Sequence, residues 1–181
     1  VGFGANVNPL GRSDYVRRTL CANLDVITRY PDRNYVSLRK VIAEYCSVLP
    51  EYVVTGNGST ELISLLISQR NAKHALVIGP TYSEYEREIT LNGGKFEYFP
   101  LKESEDFRLN LPALLEALTP DVGMFIACNP NNPTGTAIHV QDMRTILEHC
   151  KKIGASVMID ETYIEFSDIL DDICSIPLVA E

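Results

Sequence analysis

The sequence has little of what several functional classes require. Its 16 lysines and arginines are outnumbered by 24 aspartates and glutamates, which gives a net charge of −8. Nucleic-acid binding needs a surplus of basic residues, so we expect no nucleic-acid partner. No apolar run approaches the roughly 20 residues that cross a bilayer, and the first residues lack the charged and apolar regions of a signal peptide. We therefore expect no membrane association.

Metal-ligand patterns are also missing. The five cysteines are scattered without a C-x-x-C pair, and the three histidines stand in no ligand spacing with them. Structural zinc takes paired ligands at short spacing, so we expect no metal site. An odd, dispersed set of cysteines indicates reduced thiols and a cytoplasmic location.

What the sequence does contain is a regular alternation from about residue 50 onward. The predicted strands are 52–55, 75–78, 96–99, 122–127 and 155–159, and the predicted helices between them are 61–68, 84–91, 111–118 and 140–150. Continuous apolar strands that alternate with amphipathic helices predict an α/β fold, with a mainly parallel sheet and helices on both faces. Ligands of such sheets bind beyond the carboxyl ends of the strands.

The first fifty residues follow another pattern. Turn sequences at 8–11 and 30–34 flank helical segments, of which 36–46 is the clearer. We interpret residues 1–50 as an N-terminal arm with a contribution to a small domain. Residues 51–181 are then the large domain that carries the sheet.

A glycine-rich loop at residues 55–61, Thr-Gly-Asn-Gly-Ser-Thr-Glu, opens a predicted helix. The free N–H groups of a first helical turn can hold a phosphate, and the hydroxyls of Ser59 and Thr60 add donors. The alternative is an ordinary helix cap at Ser59 or Thr60, with Glu61 favoured by the helix dipole. The sequence leaves both interpretations open.

Three further motifs follow predicted strands. Residues 129–135, Asn-Pro-Asn-Asn-Pro-Thr-Gly, form a loop that its prolines make rigid, and such a loop either aims an amide at a ligand or is a surface turn. Asp160 ends an apolar strand, where a carboxylate needs a cation such as a protonated pyridine, a salt bridge or a capping role. Tyr82 is suited to stacking on a flat ring, or else belongs with Tyr85 to the core.

Read together, residues 129–135 and the Asp-Glu-x-Tyr segment at 160–163 resemble the fold-type I pyridoxal-phosphate (PLP) enzymes of aminotransferase class I/II. The resemblance covers nearly the whole chain. The Tyr-Pro-Asp at 30–32 and residues 160–166 are similar to histidinol-phosphate aminotransferases. Residues 5–11 and 56–58 are as similar to threonine-phosphate decarboxylases.

The resemblance implies contacts to PLP from six residues: Ser59, Thr60, Tyr82, Asn132, Asp160 and Tyr163. Ser59 and Thr60 would bind the phosphate, and Tyr82 would stack on the ring. Asn132, assisted by Tyr163, would hydrogen-bond the phenolic oxygen. Asp160 would keep the pyridine nitrogen protonated, so that the ring accepts electrons.

The resemblance further implies a homodimer in which Tyr30 reaches the partner's site and Asn8 lies near the substrate. The family forms a Schiff base through a downstream lysine, but no lysine follows Phe166. We therefore expect an N-terminal fragment of the large domain that is incomplete and inactive by itself.

The expected activity of the parent protein is transamination of a phosphorylated amino compound, with a small-molecule amino donor and a 2-oxo acid acceptor. The alternatives are threonine-phosphate decarboxylation and a non-catalytic module that binds PLP or phosphate. A nucleotide-binding domain is disfavoured, because the loop at Gly56–Gly58 lacks a third glycine and a lysine.

Overall fold

The structure is a computed structural model that describes residues 6, 8, 10–70 and 73–180. These residues form two compact units, one up to Leu38 and one from Arg39 onward. Of the opening segment 5–11, residues 5, 7 and 9 lie outside the described residues.

The described part of the first unit, up to Leu38, contains one complete helix and a short 3₁₀ turn. Helix α1 (Asp14–Ala22) begins at a cap from Ser13, whose hydroxyl accepts a hydrogen bond from the backbone of Val16 at 3.2 Å. None of its residues is buried, and a short 3₁₀ turn (Leu24–Thr28) follows. Helix α2 (Val36–Cys46) begins at the end of this unit and has the bounds predicted from the sequence.

The second unit contains a four-stranded sheet in the order β2-β1-β3-β4, in which all pairings are parallel. The strands are β1 (His74–Gly79), β2 (Lys95–Pro100), β3 (Met124–Cys128) and β4 (Ser156–Asp160). The helices are α3 (Ser59–Arg70), α4 (Glu84–Leu91), α5 (Leu111–Ala117), α6 (Val140–Ile153) and α7 (Leu170–Ile173). Every residue of β3 is buried, which explains its continuous apolar run.

Successive residues of β3 serve opposite faces of the sheet, as strand geometry requires. On one face, Phe125 packs in a cluster with residues of α5 and α6, including Leu114 and Ile146. On the other face, Met124 and Ile126 pack with isoleucines of α3 and α4, namely Ile63, Ile67 and Ile89. The predicted parallel sheet with helices on both faces is confirmed.

The predicted strand at 52–55 is wrong. A 3₁₀ turn occupies Pro50–Tyr52, and residues 53–56 join no strand. The guanidinium of Arg39 donates to the carbonyl oxygens of Val53 at 2.8 Å and of Pro50 at 2.7 Å. A side chain thus satisfies carbonyls that a strand would have offered to a neighbouring strand.

Candidate functional site

The carboxyl ends of β1, β3 and β4 lie side by side, because these strands are parallel neighbours. The register pairs Cys128 with Asp160, so the loop after β3 begins next to the end of β4. The backbone N–H of Asn129 donates to the Asp160 carbonyl at 2.8 Å. The polar motifs after these strands therefore meet at one edge, which we call the carboxyl edge: residues 80–82, 129–132 and 160–163.

Asp160 is half-buried at this edge, and hydrogen bonds fix its carboxylate. Its Oδ2 accepts from the Tyr85 hydroxyl at 2.8 Å. Its Oδ1 accepts from the backbone N–H of Thr162 at 3.0 Å and from the Thr162 hydroxyl at 2.6 Å. All three donors are uncharged, and a carboxylate offers about four lone-pair positions. The carboxylate is therefore held in place with capacity left for a cationic partner.

Tyr85, on α4, is fully buried. Burial, with smaller effects of the Cys128 thiol and the Asp160 carboxylate, raises the pKa of Tyr85 well above its ordinary value. The phenol therefore stays protonated and acts as a donor to Asp160. The sequence offered Tyr85 only as a core residue, and the structure adds the polar contact.

The three asparagines of residues 129–132 have different roles. Asn129 is fully buried, and its Nδ2 donates to the carbonyls of Ile138 and Ile173, both at 3.1 Å. Its Oδ1 accepts from the backbone N–H of Ile138 at 2.7 Å. Asn129 thus joins the end of β3 to the start of α6 and to α7.

Asn131 is 5% exposed, and its Nδ2 donates to the Pro80 carbonyl at 2.9 Å and to the Thr134 hydroxyl at 2.8 Å. Asn132 is half-buried, and within the described part of the chain its side-chain amide forms no hydrogen bond. Of the three asparagines, Asn132 is the one with an amide available to a ligand, and it is also the one that the resemblance selects.

Tyr82 is half-buried and packs edge-to-face on Tyr85, with ring centroids 5.8 Å apart and an interplanar angle of 84°. Tyr163 is half-buried three residues beyond the end of β4 and lies against Phe166, with ring centroids 6.5 Å apart. Both tyrosines belong to the segments that follow strands at the carboxyl edge.

The start of α3 differs from an ordinary hydroxyl cap. Ser59 and Thr60 are exposed, and Gly58 has a left-handed φ of +84°. The Glu61 carboxylate reaches back and accepts from the backbone N–H of Asn57, with a second bond from the Asn57 amide at 3.2 Å. A Cβ on Gly56 would lie 2.9 Å from the Glu61 Oε2 atom, so the Glu61 side chain would have to shift to accept a larger residue there.

Tyr30 and Asn8 belong to the first unit, and both are exposed. The Asn8 side chain accepts from the backbone N–H of Leu10 at 2.9 Å within its predicted turn. Tyr30 is fully solvent-exposed. Their predicted roles at a shared site stay predictions.

Glu161, next to Asp160, fastens a more distant segment. Its carboxylate accepts from the backbone N–H of Ser175 at 2.6 Å. Burial raises the pKa of Glu161 above its ordinary value, against the opposing effect of that N–H donor. The loop after β4 and the segment after α7 are therefore joined next to the candidate site.

Two other features bear on the location of a ligand. A small cavity beside Ile78, Cys128 and Thr136 has room for about one water molecule. Ligand cavities usually measure about 300–1,000 Å³, so the open carboxyl edge is the better candidate. Among the described residues, no three His, Cys, Asp or Glu side chains gather as metal ligands. No helix there is long and apolar enough to span a membrane.

These features define an α/β protein with a polar site at the carboxyl edge of a parallel sheet. The family model for aminotransferase class I and II matches residues 1–180, and the chain belongs to this family. The resemblance inferred from the motifs is confirmed.

Two relatives of known function are similar to this chain over more than nine-tenths of its length. The chain is 37% identical over 164 residues to a threonine-phosphate decarboxylase from Salmonella typhimurium. This alignment covers 91% of this chain and 45% of that protein. It is 36% identical over 173 residues to a histidinol-phosphate aminotransferase from Desulfitobacterium hafniense, which covers 92% of this chain and 47% of that protein.

Among solved structures, the histidinol-phosphate aminotransferase from Clostridium acetobutylicum superposes with a TM-score of 0.84 at 28% identity. The superposition covers 96% of this chain and 50% of that one. The chain thus spans about half the length of the curated relatives that it matches.

Proposed function

We propose that this chain forms the cofactor-binding part of a PLP-dependent aminotransferase that acts on a phosphorylated amino compound, in the manner of histidinol-phosphate aminotransferases. The observation that carries the proposal is Asp160, a half-buried carboxylate at the end of β4 with neutral donors on both oxygens. Such a carboxylate is matched to a protonated pyridine nitrogen, since a partly buried ion pair is stable when its remaining lone pairs are satisfied.

The residues present fit PLP. Buried polar atoms nearly always have hydrogen-bond partners, yet Thr81 Oγ1 and Asn131 Oδ1 have none in the described part of the chain. These atoms belong to the two loops that follow β1 and β3, so this edge has polar capacity that the protein itself does not use. The available amide of Asn132 adds to that capacity.

Each predicted contact then has a function. PLP, when bound, supplies an electron sink for the bonds at the substrate's Cα. Asp160 holds the proton on the ring nitrogen, and Tyr85 keeps the carboxylate oriented toward it. Asn132 with Tyr163 binds the phenolic oxygen, and Tyr82 covers one ring face.

The start of α3 is the proposed phosphate site. Its first-turn N–H groups are available to an anion, and the helix dipole favours negative charge there. Glu61 closes the loop on Asn57 instead of capping with Ser59 or Thr60. The exposed hydroxyls of Ser59 and Thr60 are consequently free to add donors to the phosphate.

The rest of the proposal concerns the assembled enzyme. We propose a cytoplasmic homodimer that uses an amino donor and a 2-oxo acid, with Tyr30 at the partner's site and Asn8 near the substrate. The chain alone is proposed to be inactive, because the lysine that the family uses for its Schiff base has no counterpart after Phe166.

Threonine-phosphate decarboxylation is the second candidate, favoured by the 37% identity to the Salmonella enzyme. The two activities differ in which bond at Cα breaks. The test incubates the full-length gene product that contains this chain with histidinol phosphate and 2-oxoglutarate, and separately with threonine phosphate. Glutamate in the first reaction supports the aminotransferase. Carbon dioxide from threonine phosphate without glutamate formation assigns the decarboxylase.

The role of Asp160 is tested by Asp160→Asn in the same protein. Loss of the cation's partner is expected to weaken PLP binding about tenfold or more, as for a partly buried pair broken on one side. The control is Asp168→Asn, which removes the same charge from an exposed position. Equal PLP affinity in both variants would refute the assignment, and no PLP binding by the unaltered protein would leave only a phosphate-binding module.

A further inference from the structure

Asn131 is the described residue whose side chain directly bonds the loop after β3 to the loop after β1. Its Nδ2 reaches the Pro80 carbonyl at 2.9 Å across 51 residues of sequence. β1 and β3 pair only at residues 75–77 with 124–126, so the ladder ends before the two loops begin. The bond from Asn131 to Pro80 therefore joins the two loops beyond the end of the ladder.

The backbone of Asn131 is itself fixed. Its N–H donates to the Thr136 carbonyl at 2.8 Å, and its carbonyl accepts from the Gly135 N–H at 2.7 Å. The Thr134 hydroxyl, which accepts the second Nδ2 proton, lies 2.8 Å from the Thr136 hydroxyl. Asn131 is thus a rigid base from which its amide extends to Pro80.

The contact point on the other loop is close to Tyr82, which lies two residues after Pro80. The Tyr82 ring packs against the core cluster that contains Tyr85, and its centroid lies 5.8 Å from that of the Tyr85 ring. The Pro80 carbonyl and the Tyr85 ring therefore hold the start and the end of the short segment that carries Tyr82.

We infer that Asn131 is a positioning residue that sets the distance between Tyr82 and Asn132 by holding the Pro80 carbonyl. The inference rests on the proposed PLP site and deepens it. Both amide protons of Asn131 are used on Pro80 and Thr134, so Asn131 donates no hydrogen bond to the cofactor. It acts through Tyr82, whose ring must lie parallel to the bound ring to stack on it.

The test uses Asn131→Ser in the full-length gene product, since serine keeps a polar side chain that is too short to reach Pro80. We expect the PLP dissociation constant of the apoprotein to rise about tenfold, and the circular dichroism of bound PLP to weaken as its ring orientation loosens. The same substitution in a Tyr82→Ala background is expected to change the dissociation constant less than about twofold, because the group through which Asn131 acts is gone.

Thr134→Val is the matched control, because it removes the other partner of the same amide and leaves the bond to Pro80. It is expected to weaken PLP binding less than Asn131→Ser does. Asn131→Ala is the second variant, and melting curves establish that each variant folds.

The outcomes separate the two proposals. If the unaltered protein does not bind PLP, the proposed function fails. If the unaltered protein binds PLP and the Asn131→Ser variant binds it equally well, only the positioning role is overturned. The same holds if Asn131→Ser weakens PLP binding as much in the Tyr82→Ala background as it does in the unaltered protein. Failure of both Asn131 variants to fold assigns the residue to stability alone and also overturns the positioning role.

Discussion

Tyr85 provides the sharpest test of the site, because the substitution Tyr85→Phe removes a single oxygen. The lost hydroxyl donates to Asp160 Oδ2 at 2.8 Å from a fully buried ring. Hydrogen bonds to charged groups contribute about 1.5–3 kcal/mol to stability. We therefore expect the free energy of unfolding of the apoprotein to fall by about that amount at pH 7, as measured by urea denaturation.

The pH dependence adds an independent check. The folded pKa of Tyr85 is raised, so its contribution is fully present below the unfolded tyrosine pKa of about 10 and declines above it, because only the unfolded phenol ionises. The stability gap between wild type and Tyr85→Phe should narrow by about 1.4 kcal/mol between pH 7 and pH 11.

The control is Tyr98→Phe, since the Tyr98 hydroxyl donates to Glu86 at 3.0 Å from a ring that is 43% exposed. Solvent competes for that bond, and its loss should cost about 0.5–1 kcal/mol. A Tyr85→Phe protein that loses no more than the Tyr98→Phe protein at pH 7 would refute the reasoning, as would a gap that stays constant up to pH 11.

Two further substitutions test the supports of the carboxyl edge. Asn129→Leu leaves three buried backbone groups of Ile138 and Ile173 without partners. We therefore expect the free energy of unfolding, measured in urea, to fall by at least about 3 kcal/mol. Asn110→Ala removes the exposed cap of α5 and should lower it by about 1 kcal/mol. Equal losses would contradict this. The pKa of Glu161 is raised in the folded protein, so ionisation of this carboxyl disfavours folding above its ordinary pKa of about 4.3. Glu161→Gln should therefore become more stable relative to wild type as the pH rises from about 4 to about 7. A stability difference that instead grows as the pH falls would contradict this reasoning.

The sheet could be predicted because each strand carries its own signal. Strand β3 is buried throughout, and a continuous apolar run is what a central parallel strand requires. The segment 52–55 carries a similar signal in four residues, and short apolar runs are ambiguous. The Val53 carbonyl instead accepts a bond from Arg39, which lies 14 residues away, and no local sequence pattern indicates such a contact.

The same distinction applies to the site. The meeting of residues 129–132 with Asp160 at one edge could be predicted, because segments that follow parallel strands reach the carboxyl edge of the sheet. The choice of Asn132 within that loop came from the family resemblance, and its role stays a prediction. The supporting contacts could not be predicted, since Tyr85 lies 75 residues from Asp160, and Asn129 lies 44 residues from Ile173. The helical spacing of Tyr85 and Ile89 indicates burial alone, and a buried tyrosine gives no sign of which carboxylate it meets.

The three asparagines in residues 129–132 have different roles, which the motif alone does not indicate. A loop that presents an amide to a ligand must be fixed without using that amide, because a donor already bonded inside the protein is unavailable. Asn129 fastens the loop to α6 and α7, and Asn131 fastens it to Pro80. Both side chains are buried and use their Nδ2 groups inside the protein, whereas the half-buried Asn132 does not. Two amides therefore supply rigidity, and the third is left to hold one geometry toward the proposed ligand, which is the condition for precise binding at an open edge.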